Sequence, residues 1–381
     1  MTRRVAVAGV ALSDVGRVDH STPYALTAQA ARRALADAGL TPDEVDGVAS
    51  TSLGSLAPIE VAEYMGLAPR WLDSTSVGGA AWEVMASHAA DAISLGHADV
   101  VLLAYGSTAR ADLKKGLRGA NLDWGSRGPL QWEVPYGHTI ISKYAMAARR
   151  HMHEYGTTLE QLAEVAVAAR VNAAENPEAF YRDPITVDDV LSGPMIADPF
   201  TKLHCCIRSD GGAAAVLVSE ERARDLVKPP VWVLGSGEHT SHVSMSQWPD
   251  FTTGPAAVSG RMAFDRAGLQ PQDVDVCELY DAFTYMLLIT LEDLGFCAKG
   301  EGGSFVEGGR LLTGGSLPTN TDGGGLSACH PGMRGLFLIV EAVRQLRGEC
   351  GPRQVAGAEV ACVSGTGGWF CSSGTMLLGR D

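Results

Sequence analysis

One segment of this chain occurs twice. Residues 34–48 read ALADAGLTPDEVDGV and residues 263–277 read AFDRAGLQPQDVDVC. Without a gap they share Ala34/Ala263, Ala38/Ala267, Gly39/Gly268, Leu40/Leu269, Pro42/Pro271, Val45/Val274 and Asp46/Asp275. So many identities at one fixed offset of 229 residues point to a duplicated unit. Each copy carries the same local instructions. A small-residue helix runs into Ala-Gly-Leu, where glycine can take the left-handed conformation that closes a helix. Thr-Pro-Asp-Glu or Gln-Pro-Gln-Asp then starts a short helical turn, and a strand follows. The repeat predicts an α/β chain of two related halves, 1–225 and 226–381.

The surrounding pattern agrees. Ala98–Tyr105, ADVVLLAY, is a continuous apolar run of buried-strand type, and a helix is expected before it from about Gly79 to Leu95. Near the other end, Gly335–Arg347 reads as an amphipathic helix, with a strand at Glu359–Val363. Residues 110 to about 200 fit neither half. They hold a basic, glycine-rich loop (Arg110–Arg127), helices at Ser142–Tyr155 and Leu159–Ala174, and the proline-punctuated NPEAFYRDPIT, and are expected to form a cap over one face.

Composition narrows the function. A net charge of −14 and no basic cluster beyond short pairs such as Lys114–Lys115 argue against nucleic acid. No stretch is long and apolar enough to span a membrane. The apolar run behind Arg3 and Arg4 is too short for a signal peptide and leads into Asp14, so a first strand is expected there. The eight cysteines are scattered, none forms a CxxC, and the Cys205–Cys206 pair cannot supply a zinc site alone; a reducing, cytoplasmic location is expected and no metal site. No cysteine precedes residue 205.

Several segments could carry chemistry. In DSTSVGGAAW, Thr75 and Ser76 precede the Gly78–Gly79 start of a helix, a layout that presents a nucleophile or binds an anion. Tyr280 and Asp281 follow the second-half strand, at the end where α/β sites form. Cys329-His330-Pro331-Gly332 lies on a glycine-crowded turn before a helix, where a histidine can act as a base or donate to an oxyanion. Ser364-Gly365-Thr366-Gly367-Gly368 is expected to follow the final buried strand and offer backbone amides to a ligand. His138 is a candidate pocket residue in the cap.

Together these segments resemble the thiolase superfamily, and the resemblance runs through almost the whole chain. TSVGGAA stands where that family presents its nucleophilic cysteine, Tyr280-Asp281-Ala282-Phe283 where it has an asparagine or histidine motif, and His330 where it has the histidine of Gly-His-Pro-x-Gly. Ser364 falls at the second, acid/base cysteine, and Ser209-Asp210-Gly211-Gly212-Ala213-Ala214 resembles the family's Asn-Asp-Gly-Ala-Ala. LITLEDLGFCAKGEGGSFVEGG and GGSLPTNTDGGG are similar to the sterol-carrier-protein thiolase-like branch. The resemblance implies a five-layer αβαβα fold, a CoA thioester as substrate with no tightly bound cofactor, and a homodimer. It also implies a small OB-fold, zinc-ribbon partner, giving a heterotetramer.

The departures shape the expected reaction. Both family cysteines are absent, and a serine or threonine hydroxyl is a poor nucleophile without an adjacent base. A retro-aldol cleavage of a β-hydroxyacyl-CoA needs no acyl-enzyme, and some members of the branch are steroid side-chain aldolases with a tyrosine at the position of Tyr280. They also carry a histidine where this chain has Ala282 and a tyrosine near Cys329. Tyr280 is therefore expected as base or hydroxyl-orienting group and His330 as enolate donor or proton shuttle. Ser364 is a third catalytic candidate. Thr75, Ser76, Gly78, Asp281, Cys329, Gly365, Gly367 and His138 are expected around the oxyanion or substrate. The alternatives are a thiolase-type acyltransferase using Thr75, Ser76 or Cys329, and a non-catalytic CoA-binding scaffold.

Overall fold

The computed structural model describes residues 3–116, 128–137 and 139–381. The first half runs β1 (Val5–Leu12), α1 (Pro23–Ala38), β2 (Gly47–Ala49), α2 (Ala57–Met65), β3 (Trp71–Asp73), α3 (Ala81–Ser94) and β4 (Val100–Ser107). Then come α4 (Ala109–Lys114), α5 (Ile140–Tyr155), α6 (Leu159–Ala174), α7 (Val187–Leu191) and the small pair β5 (Met195–Ala197) and β6 (Phe200–Thr201). β7 (Gly211–Ser219) and α8 (Glu220–Ala223) lead to β8 (Val231–Thr240), α9 (Ala256–Ala267), β9 (Val276–Leu279), α10 (Thr284–Asp293) and α11 (Gly302–Phe305). The chain ends with α12 (Gly335–Arg347), β10 (Val360–Gly367) and β11 (Ser372–Gly379). No helix among the described residues is long and apolar enough to cross a membrane.

The main sheet has the order β3-β2-β4-β7-β1-β8-β11-β10-β9. Its two parts follow one rule. β2 pairs parallel with β4, and β4–β7 and β7–β1 are antiparallel. β9 pairs parallel with β10, and β10–β11 and β11–β8 are antiparallel. The parts join in the sheet through β1 and β8, at Ala6–Trp232 and Val7–Val231. The sequence repeat marks equivalent places in this scheme. Gly39 and Gly268 close α1 and α9 at φ +71° and +69°, and Pro42–Glu44 and Pro271–Asp273 are short 3-10 turns. The repeated aspartates do the same work: Asp46 accepts the N–H groups of Asp99 and Val100 at the start of β4, and Asp275 those of Glu359 and Val360 at the start of β10.

Strand alternation sorts the layers. Val100, Leu102 and Val216 face Ala30, Ala34 and Leu35 of α1, while Val101, Leu103 and Leu217 face the interior. On the other part, Cys362 and Leu377 face Ala263 and Phe264 of α9, while Ala361, Val363, Met376 and Leu378 face the interior. Between them lie α3 and α12, with Trp82, Met85, Ala89, Leu336, Ile339 and Val343 in one apolar cluster. The layers are thus helix, sheet, helix, sheet, helix.

One expectation is corrected. Ser364–Gly367 is not a loop after the last strand: it is the end of β10, and β11 follows it. Its glycines are there because backbone crosses Gly367 and a side-chain carboxyl fills the space at Gly365. A β-carbon on Gly367 would lie 1.7 Å from the Val77 carbonyl oxygen, and one on Gly365 2.1 Å from Glu83 Oε2.

Candidate active site

Tyr280 leaves the end of β9, and its N–H donates to the Ser364 carbonyl, which fixes the phenol beside the interior helices. Its hydroxyl lies 3.2 Å from His330 Nε2 and accepts the Arg334 N–H at 3.1 Å. The rings stand edge to face, centroids 5.6 Å apart. Both are buried, at 4% and 9% exposure. Burial pushes the Tyr280 phenol well above its ordinary value, and half-buried Cys206 adds to the shift. Burial, with the Arg334 charge, pulls His330 down to about 4. At neutral pH the pair is therefore a neutral phenol and a neutral imidazole. With the neutral imidazole protonated at Nδ1, the phenol donates to His330 Nε2 while its oxygen accepts the Arg334 N–H.

The turn that carries His330 is held from three sides. Ser209 Oγ accepts the His330 N–H at 2.9 Å, and the Ser209 N–H donates to the His330 carbonyl. The Tyr105 hydroxyl, from β4, donates to the Pro331 carbonyl at 2.7 Å. Arg334, fully buried, donates to the Cys329 carbonyl and to both oxygens of Asp322. Asp281 accepts the N–H groups of Gly325 and Leu326 in the π-helical turn Gly324–Ala328 and lies 3.7 Å from Arg334 Nε. Burial pushes its carboxyl up to about 6, against the pull of Arg334.

The other expected residues divide sharply. The Gly78–Gly79 turn belongs to the site: a β-carbon on Gly79 would lie 2.5 Å from Tyr280 Cε2, and one on Gly78 2.7 Å from the Gly368 nitrogen. The hydroxyls before that turn do not join the pair. Thr75 Oγ1 donates to Asp73 Oδ1, while His88 holds Asp73 Oδ2, and Ser76 is exposed. Ser364 faces the wrong way, because alternation on β10 turns it outward with Cys362; its hydroxyl meets Thr375, which meets Ser259 of α9. Gly365 and Gly367 are paired strand residues rather than a free amide loop. Asp281 spends its oxygens on the turn below His330, not on an open pocket. The Cys329 thiol lies 3.2 Å from Ser209 Oγ, and burial pushes it up to about 12. His138 lies outside the described residues.

Two participants escaped the sequence reading. Arg334 was legible as the one basic side chain in HPGMRG, just ahead of α12. Glu83 was legible as a lone acid in the apolar stretch AAWEVMA, one turn past the double glycine. It is 1% exposed.

Comparison with known proteins places this geometry. A family model described as thiolase C-terminal domain-like matches residues 237–380. The chain is 36% identical to a steroid side-chain-cleaving aldolase of Thermomonospora curvata, over 99% of this chain and 98% of that protein. It is 35% identical to an acetyl-CoA acetyltransferase of Methanothermobacter thermautotrophicus, over 96% of this chain and 97% of that protein. A solved structure described as an Ltp2-ChsH2(DUF35) aldolase superposes with a TM-score of 0.89 at 34% identity, covering 99% of this chain and 97% of that one. The fold is thus that of a known lineage, and the chain belongs to the thiolase superfamily, in its sterol-carrier-protein thiolase-like branch.

Proposed function

We propose that this chain is a CoA-thioester aldolase, a carbon–carbon lyase that cleaves a β-hydroxyacyl-CoA derived from a steroid side chain. The observation that carries the reading is the neutral Tyr280–His330 pair, 3.2 Å apart, standing in a thiolase fold that has no cysteine before residue 205. The similarity to named aldolases across nearly the whole chain supports it.

In this reading the substrate's β-hydroxyl meets Tyr280. The phenol takes that proton as it passes its own to His330 Nε2, so neither group needs to be charged beforehand. The Cα–Cβ bond breaks, its electron pair enters the thioester as an enolate, and the β-carbon leaves as a ketone or aldehyde. The proton held by the pair goes to Cα and yields the shortened acyl-CoA. The Gly78–Gly79 turn, packed across the Tyr280 ring, is the place we assign to the thioester oxygen, at the N-terminal approach to α3.

A second reading, acyl transfer of the thiolase type, is favoured by the acetyl-CoA acetyltransferase relative. It needs a nucleophile, and Cys329 is a poor one with its thiol pushed up to about 12. The similar solved structure pairs its aldolase with ChsH2(DUF35). We propose that this chain likewise works with a small OB-fold, zinc-ribbon partner, as a heterotetramer built on a homodimer.

The test is a panel of β-hydroxyacyl-CoAs assayed with and without such a partner, reading ketone or aldehyde together with acyl-CoA. Cleavage that disappears in Tyr280→Phe and His330→Ala supports the assignment. Full activity in both variants refutes it.

A further inference from the structure

Behind Tyr280 stands a buried carboxyl with nothing to bond. Glu83 lies in the first turn of α3, and neither of its oxygens has a hydrogen-bond partner among the described residues. Three elements have made room for it. A β-carbon would lie 2.1 Å from Oε2 if placed on Gly365 of β10, 2.5 Å from the same oxygen on Gly335 of α12, and 2.8 Å from Glu83 Cβ on Gly374 of β11. The same β-carbon on Gly335 would lie 2.5 Å from the Gly79 carbonyl oxygen, and Gly79 packs on the Tyr280 ring. Gly335 also follows Arg334, whose N–H holds the Tyr280 hydroxyl. The carboxyl, two glycine backbones, the phenol and the imidazole form one contiguous stack.

This placement suits a group that must be neutral to do its work. As the Cα–Cβ bond breaks, negative charge develops on the thioester as an enolate, at the place assigned to the Gly78–Gly79 turn, while the proton taken up leaves the Tyr280–His330 pair positive. A fixed negative charge nearby, in a dry region, opposes that development. A neutral acid does not, and a carboxylic acid kept protonated by an apolar site is a known catalytic device. We propose that Glu83 is a positioning residue for the retro-aldol step: held neutral, it leaves the Gly78–Gly79 turn free of opposing charge while the enolate forms there, and its ionisation opposes that enolate and slows cleavage. The inference rests on the aldolase reading.

The surroundings favour the neutral form. β10 and β11 bring glycine against the carboxyl, and α12 brings Gly335, with the Arg334 guanidinium turned to Asp322 and Asp281. Among the described residues, the titratable group that feels Glu83 is Tyr280, with His330 and Tyr105 beyond it. Burial pushes the Glu83 carboxyl up to about 8, and Glu83 is itself among the groups that raise Tyr280.

The test compares wild type with Glu83→Gln, which keeps the shape and removes the ionisation. Two readouts are taken over about pH 6 to 10: kcat/KM, normalised within each protein, and the imidazole carbon resonance of His330. Wild type is expected to lose kcat/KM about tenfold per pH unit on the alkaline side, with a step in the His330 resonance at the same pH. Both the limb and the step are expected to vanish in Glu83→Gln. A limb and step that persist in the variant overturn the inference, as does a wild-type resonance with no step. If no β-hydroxyacyl-CoA is cleaved, the aldolase reading fails, and the resonance still decides whether Glu83 is coupled to the pair.

Discussion

At the scale of single residues, the site is a division of protons. His330 is neutral because burial and Arg334 disfavour its cation, and Tyr280 is a neutral phenol because burial disfavours its anion. A relay through both avoids making either ion beforehand. Tyr280→Phe is expected to lower kcat by about 10²–10⁴-fold, the contribution of a placed acid–base group. It also leaves the buried Arg334 N–H without its acceptor, so urea unfolding should show a loss of about 1–3 kcal/mol. Glu83 predicts a pH effect of definite sign. Its folded value is raised from 4.5 to about 8, so the folded chain keeps a proton that the unfolded chain releases. Its stabilising share is full below 4.5 and is lost as pH rises toward about 8. The stability of wild type relative to Glu83→Gln should therefore fall across that window, by at most about 1.4 kcal/mol per pH unit. Unfolding midpoints for the two proteins at several pH values measure it.

At the scale of elements, the repeated aspartates and the glycines of β10 explain what could be read in advance and what could not. The repeat was legible because Ala-Gly-Leu, the proline turn and the aspartate each act locally, within a few residues of one another. Asp46→Ala and Asp275→Ala should each cost about 1.5–3 kcal/mol, since each removes a charged acceptor from two backbone N–H groups. The two costs should be nearly additive in the double variant, because the aspartates serve different strands. The run Ser364–Gly368 was misread because glycines usually signal a loop, and here they answer to contacts with Val77 and Glu83, which are distant in sequence. The direction of Ser364 follows from strand alternation once β10 is known to continue through it. Ser364→Ala should thus keep kcat within about twofold, whereas Gly365→Ala, which drives a methyl into the buried Glu83 carboxyl, should destabilise the chain by about 1–3 kcal/mol. Activity assays and thermal melts of the two variants separate these cases. Tyr280 and His330 were legible because each stands at the end of a recognisable element. Arg334 and Glu83 stood out in the sequence as isolated charges, but their roles did not, because those roles depend on two helices from different halves meeting in the interior.

At the scale of the whole molecule, the fold places the ends of those two interior helices together. The Gly78–Gly79 turn leads into α3 from the first half, and the His330–Arg334 turn leads into α12 from the second. Tyr280, arriving from β9, touches both: the Gly79 backbone on its ring and Arg334 on its hydroxyl. In the proposed reaction a thiolase-like scaffold keeps its helix junction without the attacking cysteine, and a tyrosine and a histidine at the same junction move a proton instead. The central claim is that this junction breaks a carbon–carbon bond with no acyl group passing onto the protein. Its most direct test is intact-protein mass spectrometry during turnover of a steroid side-chain β-hydroxyacyl-CoA, with the released products analysed in the same mixture. The account predicts a ketone or aldehyde and a shortened acyl-CoA in equal amounts while the protein mass stays unchanged. An acyl adduct that forms on the protein and disappears on adding free CoA would contradict it.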